Sequence, residues 1–413
     1  MLAVTLCIST VKAAMTATSS SPPDTTPAPR RRPRPAGATP QIDIVVPVYN
    51  EAAGLERSIR RLHAFLTQAF PFSWRIVIAD NASTDATPQL AHALATQLAA
   101  VSVLHLPDKG RGRALRAAWS ASDADVLAYM DVDLSTDLTA LLPLVAGLVS
   151  GHSDVAIGSR LAPGSRVVRG PRREFISRSY NRILRLGLGA RFSDAQCGFK
   201  AIRADAARQL LPLIVDEAWF FDTELLVLAQ RRGLRIHEVA VDWTDDPDSR
   251  VEIVSTAIAD LRGVVRLALA SPVVRFGLIG LASTLVYAGL FLALRQVMTA
   301  GVANVVALAL TAVANTQANR HFTFRLRGRP GVLRQHAAGA LVFLLALGLT
   351  GGTLDVLRGL DPKPSRLLEV TVLIVASAFA TVSRYVALRT WVFARPAAPG
   401  IGPRPVRLSE RRP

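Results

Sequence analysis

The sequence predicts two parts in series: an α/β domain built on a largely parallel sheet, then an all-α membrane domain of four helices. Three observations predict it. From residue 42 onward, short apolar runs alternate with stretches of helical periodicity, the pattern of βαβ units. Polar, turn-forming clusters follow the ends of successive apolar runs, where an open parallel sheet gathers its ligands. After Pro272 the apolar residues concentrate in segments approaching the ~20 residues that cross a ~30 Å hydrocarbon core.

Residues 1–40 carry little fold information. MLAVTLCIST has no basic stretch before its apolar residues, which argues against a secretory signal, and residues 19–40 are rich in Pro, Ser, Thr and Arg. Such a segment cannot bury enough apolar surface to order itself, so a disordered tail is expected. The α/β domain is expected over residues 41–250, with strands at 42–48, 75–79, 101–106, 126–130 and 155–158 and helices such as 55–69 and 88–98.

Each strand end carries chemistry. The first closes in Pro47-Val48-Tyr49-Asn50-Glu51 and the second in Asp80-Asn81-Ala82-Ser83-Thr84-Asp85. Asp108-Lys109-Gly110-Arg111-Gly112-Arg113 follows the third, and Asp131-Val132-Asp133 the fourth. Taken singly, each has a plain structural account: Ser83 and Thr84 suit a helix N-cap, Gly110 and Gly112 suit a loop, and Asp favours strand ends. As an ordered set they predict one contiguous cleft. Period-two geometry would point Asp131 and Asp133 to one face, where they could share a divalent cation.

VPVYNE, ADNASTD, KGRGRAL and MDVDLSTD, followed by GSR at 158–160, DAQCGFK at 194–200 and FFDTELL at 220–226, resemble the inverting GT-A glycosyltransferases of family 2. The resemblance covers about residues 42–250 and is strongest to the dolichyl- or polyprenyl-phosphate hexosyltransferases. It implies a Rossmann-like GT-A fold and transfer of one hexose, glucose or mannose, from a nucleotide sugar (UDP-glucose or GDP-mannose) to a lipid phosphate.

By the same resemblance, Pro47, Tyr49, Glu51 and Asp80 hold the nucleotide, and Lys109 and Arg113 approach its phosphates. An aromatic face and carboxylate acceptors suit a base edge and ribose hydroxyls. Asp131 and Asp133 bind Mg²⁺ or Mn²⁺ across the donor diphosphate. Mannosyl members often add Gln two residues later, where this chain has Ser135. For the acceptor phosphate the candidates are Arg160, Arg173 and Ser177, with Arg169 and Arg172 as rivals. Arg173 and Ser177 are four apart and share a helix face. Asp194, Gln196 and Lys200 are expected to line the sugar or acceptor pocket, and Asp222 to orient a sugar hydroxyl or to cap a helix. Arg250 stands in for a basic residue that closes over the diphosphate. A lipid phosphate is largely dianionic at neutral pH and needs no strong base, so His63, His92, His105 and His152 are read as scattered helix or surface residues.

Residues 251–272 have apolar residues at helical spacing with Arg262 and Arg266 interspersed, an interfacial amphipathic helix. Spans are expected at 276–294, 302–313 extended through Gln317, 337–354 and 367–388 within a membrane domain over 273–394, followed by a basic tail over 395–413. Their sequences, with NRHFTF and SRYVALRTWVF, resemble the four-helix GtrA-type domain. The formal charge of +17 does not signal nucleic acid, because the arginines gather beside these spans. Arg262, Arg266 and Arg275 precede the first, Arg320, Arg325, Arg327, Arg329 and Arg334 fill the middle link, and Arg384, Arg389 and Arg395 follow the last. The positive-inside rule then makes the chain a multi-pass membrane protein with its catalytic domain and both termini cytoplasmic. The basic rims suit anionic lipid.

Two cysteines, Cys7 and Cys197, build no disulfide framework and fit a reducing compartment. A homo-oligomer is neither required nor excluded. Two other function classes compete with this one. A processive polysaccharide synthase would carry Gln-x-x-Arg-Trp, and the look-alike at 317–321 lacks the Trp. A flippase or scaffold for a lipid-linked sugar would make the soluble domain auxiliary.

Overall fold

In the computed structural model, residues 39–245 and 253–324 are described, together with 337–341, 344, 356, 359, 360 and 387. The chain divides into two compact units, Met1–Gly263 and Val264–Pro413. The first is built on strands β1 (Gln41–Val48), β2 (Ser73–Asn81), β3 (Val101–Leu106), β4 (Val126–Met130), β5 (Val155–Ser159), β7 (Phe199–Arg203) and β8 (Ile236–Ala240). They form one sheet in the order β3-β2-β1-β4-β7-β5-β8. Two-residue strands β6 (Val167–Val168) and β9 (Trp243–Thr244) pair separately. Helices α1 (Leu55–Ala69), α2 (Thr87–Gln97), α3 (Arg111–Ala121), α4 (Leu141–Val149), α5 (Pro171–Leu188), α6 (Ala204–Leu210) and α7 (Phe221–Arg231) lie between strands.

The apolar patterning explains this layout. Leu55, Ile59, Leu62 and Leu66 of α1 recur at helical spacing and are fully buried, each contributing about 1.5–3 kcal/mol. They join Ile42, Ile44 and Val46 of β1 in one core. All five residues of β4 are buried, as a central strand covered on both faces requires.

Every pairing is parallel except those of β7, which runs antiparallel to both β4 and β5. The sheet is thus largely parallel, with one reversed strand that the alternation did not reveal. Its register sets Met130 opposite Phe199, so the start of β7 meets the carboxyl end of β4. Residues 197–200 are thereby delivered to the edge where the strand-end motifs gather.

Helix α8 (Ile253–Ala270) follows. Its Asp260 is 3% exposed and accepts from Gln196 Nε2 at 3.1 Å, and Gly263 lies against the Phe220 ring. Ile258, Leu261, Val265 and Leu269 are exposed on this helix. Val264 and Leu267 of the same helix are buried beside Asp260, so α8 carries apolar residues on both its buried and its exposed sides.

In the second unit, α9 (Pro272–Leu294) and α10 (Ala300–Ala318) pack together, and a π-helical turn, Asn319–Thr323, extends α10. The 23-residue α9 is long and apolar enough to cross a membrane. Helix α10 covers the second expected span. The third lies outside the described residues except at 337–341 and 344, and the fourth except at 387. Nearly all of the N-terminal tail, the whole C-terminal tail and Arg250 also lie outside them.

Candidate active site

The first two strand-end turns are fastened to each other. Asn50, in the left-handed region at φ 55°, donates its backbone N–H to Ser83 Oγ at 2.9 Å, and its Oδ1 accepts from the Thr84 N–H at 2.8 Å. The Glu51 N–H donates to Thr87 Oγ1 at 2.8 Å, and the Ala52 N–H to Asp85 Oδ2 at 3.3 Å. Ser83 and Thr84 therefore tie loop to loop rather than cap a helix. Pro47, Tyr49 and Glu51 are half-buried at this rim, and Lys109 Nζ lies 3.8 Å over the Tyr49 ring.

Asp80 is fully buried beneath them. Its Oδ1 accepts from the Ser83 N–H at 3.2 Å, and its Oδ2 is 2.5 Å from His105 Nδ1. His105 is exposed, as expected of a surface residue, but it is not isolated: the β2–β3 register sets it directly opposite Asp80.

The acidic pair is placed by a turn. Strand β4 ends at Met130, the Asp131 carbonyl accepts from the Leu134 N–H at 3.2 Å, and Leu134 has φ 49°. The strand-face argument for the pair does not hold, because the strand stops before the first carboxylate. Asp133 Oδ1 accepts from the Ser135 N–H at 3.0 Å. Asp131 is anchored on the reversed strand, its N–H donating to the Gly198 carbonyl at 3.1 Å. A Cβ at Gly198 would stand 1.6 Å from Asp131 Oδ2, so the carboxylate occupies the space a side chain would fill.

Below Asp131 lies a buried charge network. Arg111, first residue of α3, donates Nη2 to Asp131 Oδ1 at 2.7 Å and Nη1 to Asp222 Oδ2 at 2.5 Å. Asp222 Oδ1 also accepts from the Tyr129 hydroxyl, which in turn accepts from Lys200 Nζ at 3.0 Å. Lys200 Nζ donates to the Cys197 carbonyl at 2.5 Å and stands 3.4 Å from Asp222 Oδ1. Burial opposes the Arg111 cation, but Asp131 and Asp222 outweigh it and hold its proton well above the usual guanidinium range. Burial likewise pushes the Asp222 carboxyl up, while Lys200 and Arg111 outweigh it and bring it below the usual carboxylate range.

Three expectations are corrected here. Lys200 does not line a pocket; it is 1% exposed and neutralises Asp222. Asp222 neither orients a substrate hydroxyl nor caps α7; it is 3% exposed and holds Arg111. Arg113 turns away to Glu217 Oε2, at 2.5 Å from Nη2, and to Asp108 at 3.1 Å, whereas Arg111 between the two glycines reaches the acidic pair.

The expected acceptor residues are present but already engaged. Arg160 grips the buried Asp194 with Nε at 2.7 Å and Nη2 at 3.0 Å. Burial opposes the Arg160 cation, but Asp194 outweighs it, so its charge is fixed and largely spoken for. Asp194 therefore braces an arginine rather than lining a pocket. Arg173 pairs with Asp245, and Arg169 pairs with Glu174 at 2.5 Å. Arg172 is exposed. Ser177, on the inward side of α5, is 4% exposed and its hydroxyl has no hydrogen-bond partner among the described residues. Arg160 and Arg173 thus each hold a different carboxylate.

A polar cavity of about 380 Å³ opens beside Asp133, with Glu51, Arg57, Arg61, Ser135 and Asp245 in its lining. No group of three or more His, Cys, Asp or Glu stands together for a metal among the described residues. Asp131 is half-buried and Asp133 exposed in one turn, and the hard oxygens of such carboxylates suit a divalent cation whose other ligands come from a diphosphate and water.

Residues 43–211 match the family model described as Glycosyl transferase family 2, and residues 275–393 the model described as GtrA/DPMS, transmembrane domain. The glycosyltransferase AglD of Haloferax volcanii is 40% identical over 227 residues, 54% of this chain and 36% of that protein. The dolichyl-phosphate beta-glucosyltransferase of Drosophila melanogaster is 30% identical over 225 residues, 51% of this chain and 69% of that protein. ALG5C of Trichomonas vaginalis, of the same description, is 29% identical over 220 residues, and the chain spans 65% of its length. The crystal structure of Mycobacterium tuberculosis glucosyl-3-phosphoglycerate synthase with Mn²⁺ and UDP-glucose is similar at a TM-score of 0.40 and 22% identity, over 56% of this chain and 78% of that one.

Proposed function

We propose a function from one premise: this chain belongs to glycosyl transferase family 2 and carries a GtrA/DPMS transmembrane domain. It moves one hexose, glucose ahead of mannose, from a nucleoside-diphosphate sugar to the phosphate of dolichol or another polyprenyl lipid, at the cytoplasmic face of a membrane. The observation that carries this reading is the acidic pair at the meeting of four strand ends, with Asp131 seated on Gly198 and Arg111. The relatives described as dolichyl-phosphate beta-glucosyltransferases support glucose and a lipid phosphate.

In the reaction a phosphate oxygen of the lipid bonds to C1 of the sugar while the C1–O bond to the diphosphate breaks on the opposite face. The nucleoside diphosphate departs with that electron pair. The attacking phosphate is already largely dianionic, so no proton has to be removed. A Mg²⁺ or Mn²⁺ ion held by Asp131 and Asp133 would neutralise charge on the leaving diphosphate. Pro47, Tyr49, Glu51 and Lys109 form the nucleotide rim, and Asp80 stiffens it from beneath. Residues 251–272 act as an interfacial helix, a reading supported by the exposed apolar stripe of α8.

The test uses the full chain in membranes with labelled UDP-glucose or GDP-mannose. Label should enter the organic-soluble lipid, disappear with a chelator and return with Mn²⁺. No lipid label from either donor would remove the reading.

A further inference from the structure

Trp219 is 47% exposed and offers an open aromatic face with a polar edge. It does not stand at random. The Arg111 guanidinium carbon lies 5.1 Å from the Trp219 ring and 5.0 Å from the Tyr129 ring, so the cation is held by two aromatic rings. Tyr129 is fully buried, which leaves Trp219 as the open side of the assembly that grips Asp131.

The chain on either side of the ring is held in place. Phe220 and Phe221, which follow it, are buried at 1% and 0% exposure, packed against Gly263 and Gly112. On the other side, the Glu217 carbonyl accepts from the Arg113 N–H at 3.0 Å, and the Ala218 N–H donates to Asp216 Oδ1 at 2.8 Å. The Val215 and Asp216 N–H groups donate to Glu224 Oε2 at 3.1 and 2.8 Å. A segment anchored in this way loses little backbone entropy when a ligand docks on it.

We propose that Trp219 is the platform for the hexose of the donor and a specificity-determining residue for it. The apolar C–H face of the pyranose lies on the open part of the indole, while its hydroxyls meet Asp131 and Arg111. An aromatic surface beside a small set of fixed polar groups is what a hexose, apolar on its faces and polar at its rim, requires. This rests on the donor reading above. The nucleotide rim at Tyr49 and Glu51 is a separate set of residues, so the platform acts on the sugar and not on the nucleotide.

The experiment compares the full chain in detergent with Trp219→Phe and Trp219→Ala, measuring binding of UDP-glucose, GDP-mannose, UDP and GDP with Mn²⁺ by calorimetry. Trp219→Ala should weaken the better nucleotide sugar by about tenfold and its free nucleotide by less than twofold, with Trp219→Phe between. The extra fluorescence quenching by the nucleotide sugar over the free nucleotide should vanish in Trp219→Phe. Equal weakening of sugar nucleotide and free nucleotide would overturn the proposal. So would unchanged donor binding with loss of association with anionic vesicles, the sign of a membrane anchor. If the wild-type chain bound neither nucleotide sugar, the donor reading and the platform would fall together. Binding without transfer to lipid would remove the lipid-acceptor reading and leave the platform standing.

Discussion

Gly198 and Asp131 occupy one another's space: a methyl group on residue 198 would stand 1.6 Å from the Asp131 carboxylate, while the Gly198 carbonyl accepts the Asp131 N–H. The acidic pair is therefore seated by a residue chosen for having no side chain. Its position is as sensitive to strand β7 as to its own strand.

Gly198→Ala should displace the Asp131 carboxylate while the sheet stays folded. Transfer should fall by about a hundredfold, since a shift near 1 Å in a reacting geometry costs that much. Mn²⁺ binding followed by electron paramagnetic resonance should weaken in parallel, and unchanged Mn²⁺ binding would separate Asp131 from the metal.

Asp222→Asn and Tyr129→Phe should differ in severity. The first leaves Lys200 buried without its counter-charge and Arg111 with one carboxylate, a loss of about 3–5 kcal/mol. The second removes one hydroxyl from a network in which Lys200 keeps the Cys197 carbonyl, a loss of about 1–3 kcal/mol. Urea unfolding followed by circular dichroism would rank them.

Asp260 should make stability depend on pH. Burial pushes its carboxyl up to about 6, with Asp216 and Asp222 adding to the effect and Gln196 and Tyr180 opposing it. The folded chain thus holds this proton more tightly than the unfolded one. Its stabilising contribution is complete below the ordinary carboxylate value near 4 and is lost as pH rises through about 6. Asp260→Asn should therefore stabilise the protein by about 3 kcal/mol at pH 7.5 and by about 0.5 kcal/mol at pH 4, as thermal unfolding at both values would read.

Asp133→Asn should abolish metal-dependent transfer with little change in unfolding temperature, because its carboxylate is exposed and accepts from the neighbouring Ser135 N–H within a turn. Activity retained in the variant, assayed across a Mn²⁺ titration, would take Asp133 out of the metal site.

Much of this arrangement could be read along the chain because it is local. Apolar alternation located β1 to β5, and helical spacing located α1 and α2 to within a residue or two. The four strand-end motifs followed from the same pattern. What could not be read was the pairing of charges across long separations. Arg111 and Arg113 are alike in sequence, and only a partner 111 residues away distinguishes them. Lys200 and Asp222 sit in motifs that suggest a ligand, yet packing turns them toward each other. Nothing in the alternation marked β7 as reversed, since a buried strand has the same composition in either direction.

That reversal has a consequence for how the protein is made. The floor under Asp131 comes from residues 198, 200 and 222, whereas the rim of the cleft comes from residues up to 133. As the chain leaves the ribosome, β1 to β4 can begin to pair while Arg111 and Asp131 still await their later partners. The site closes only when β7 threads between β4 and β5, so it stays open until the chain beyond Asp222 has emerged.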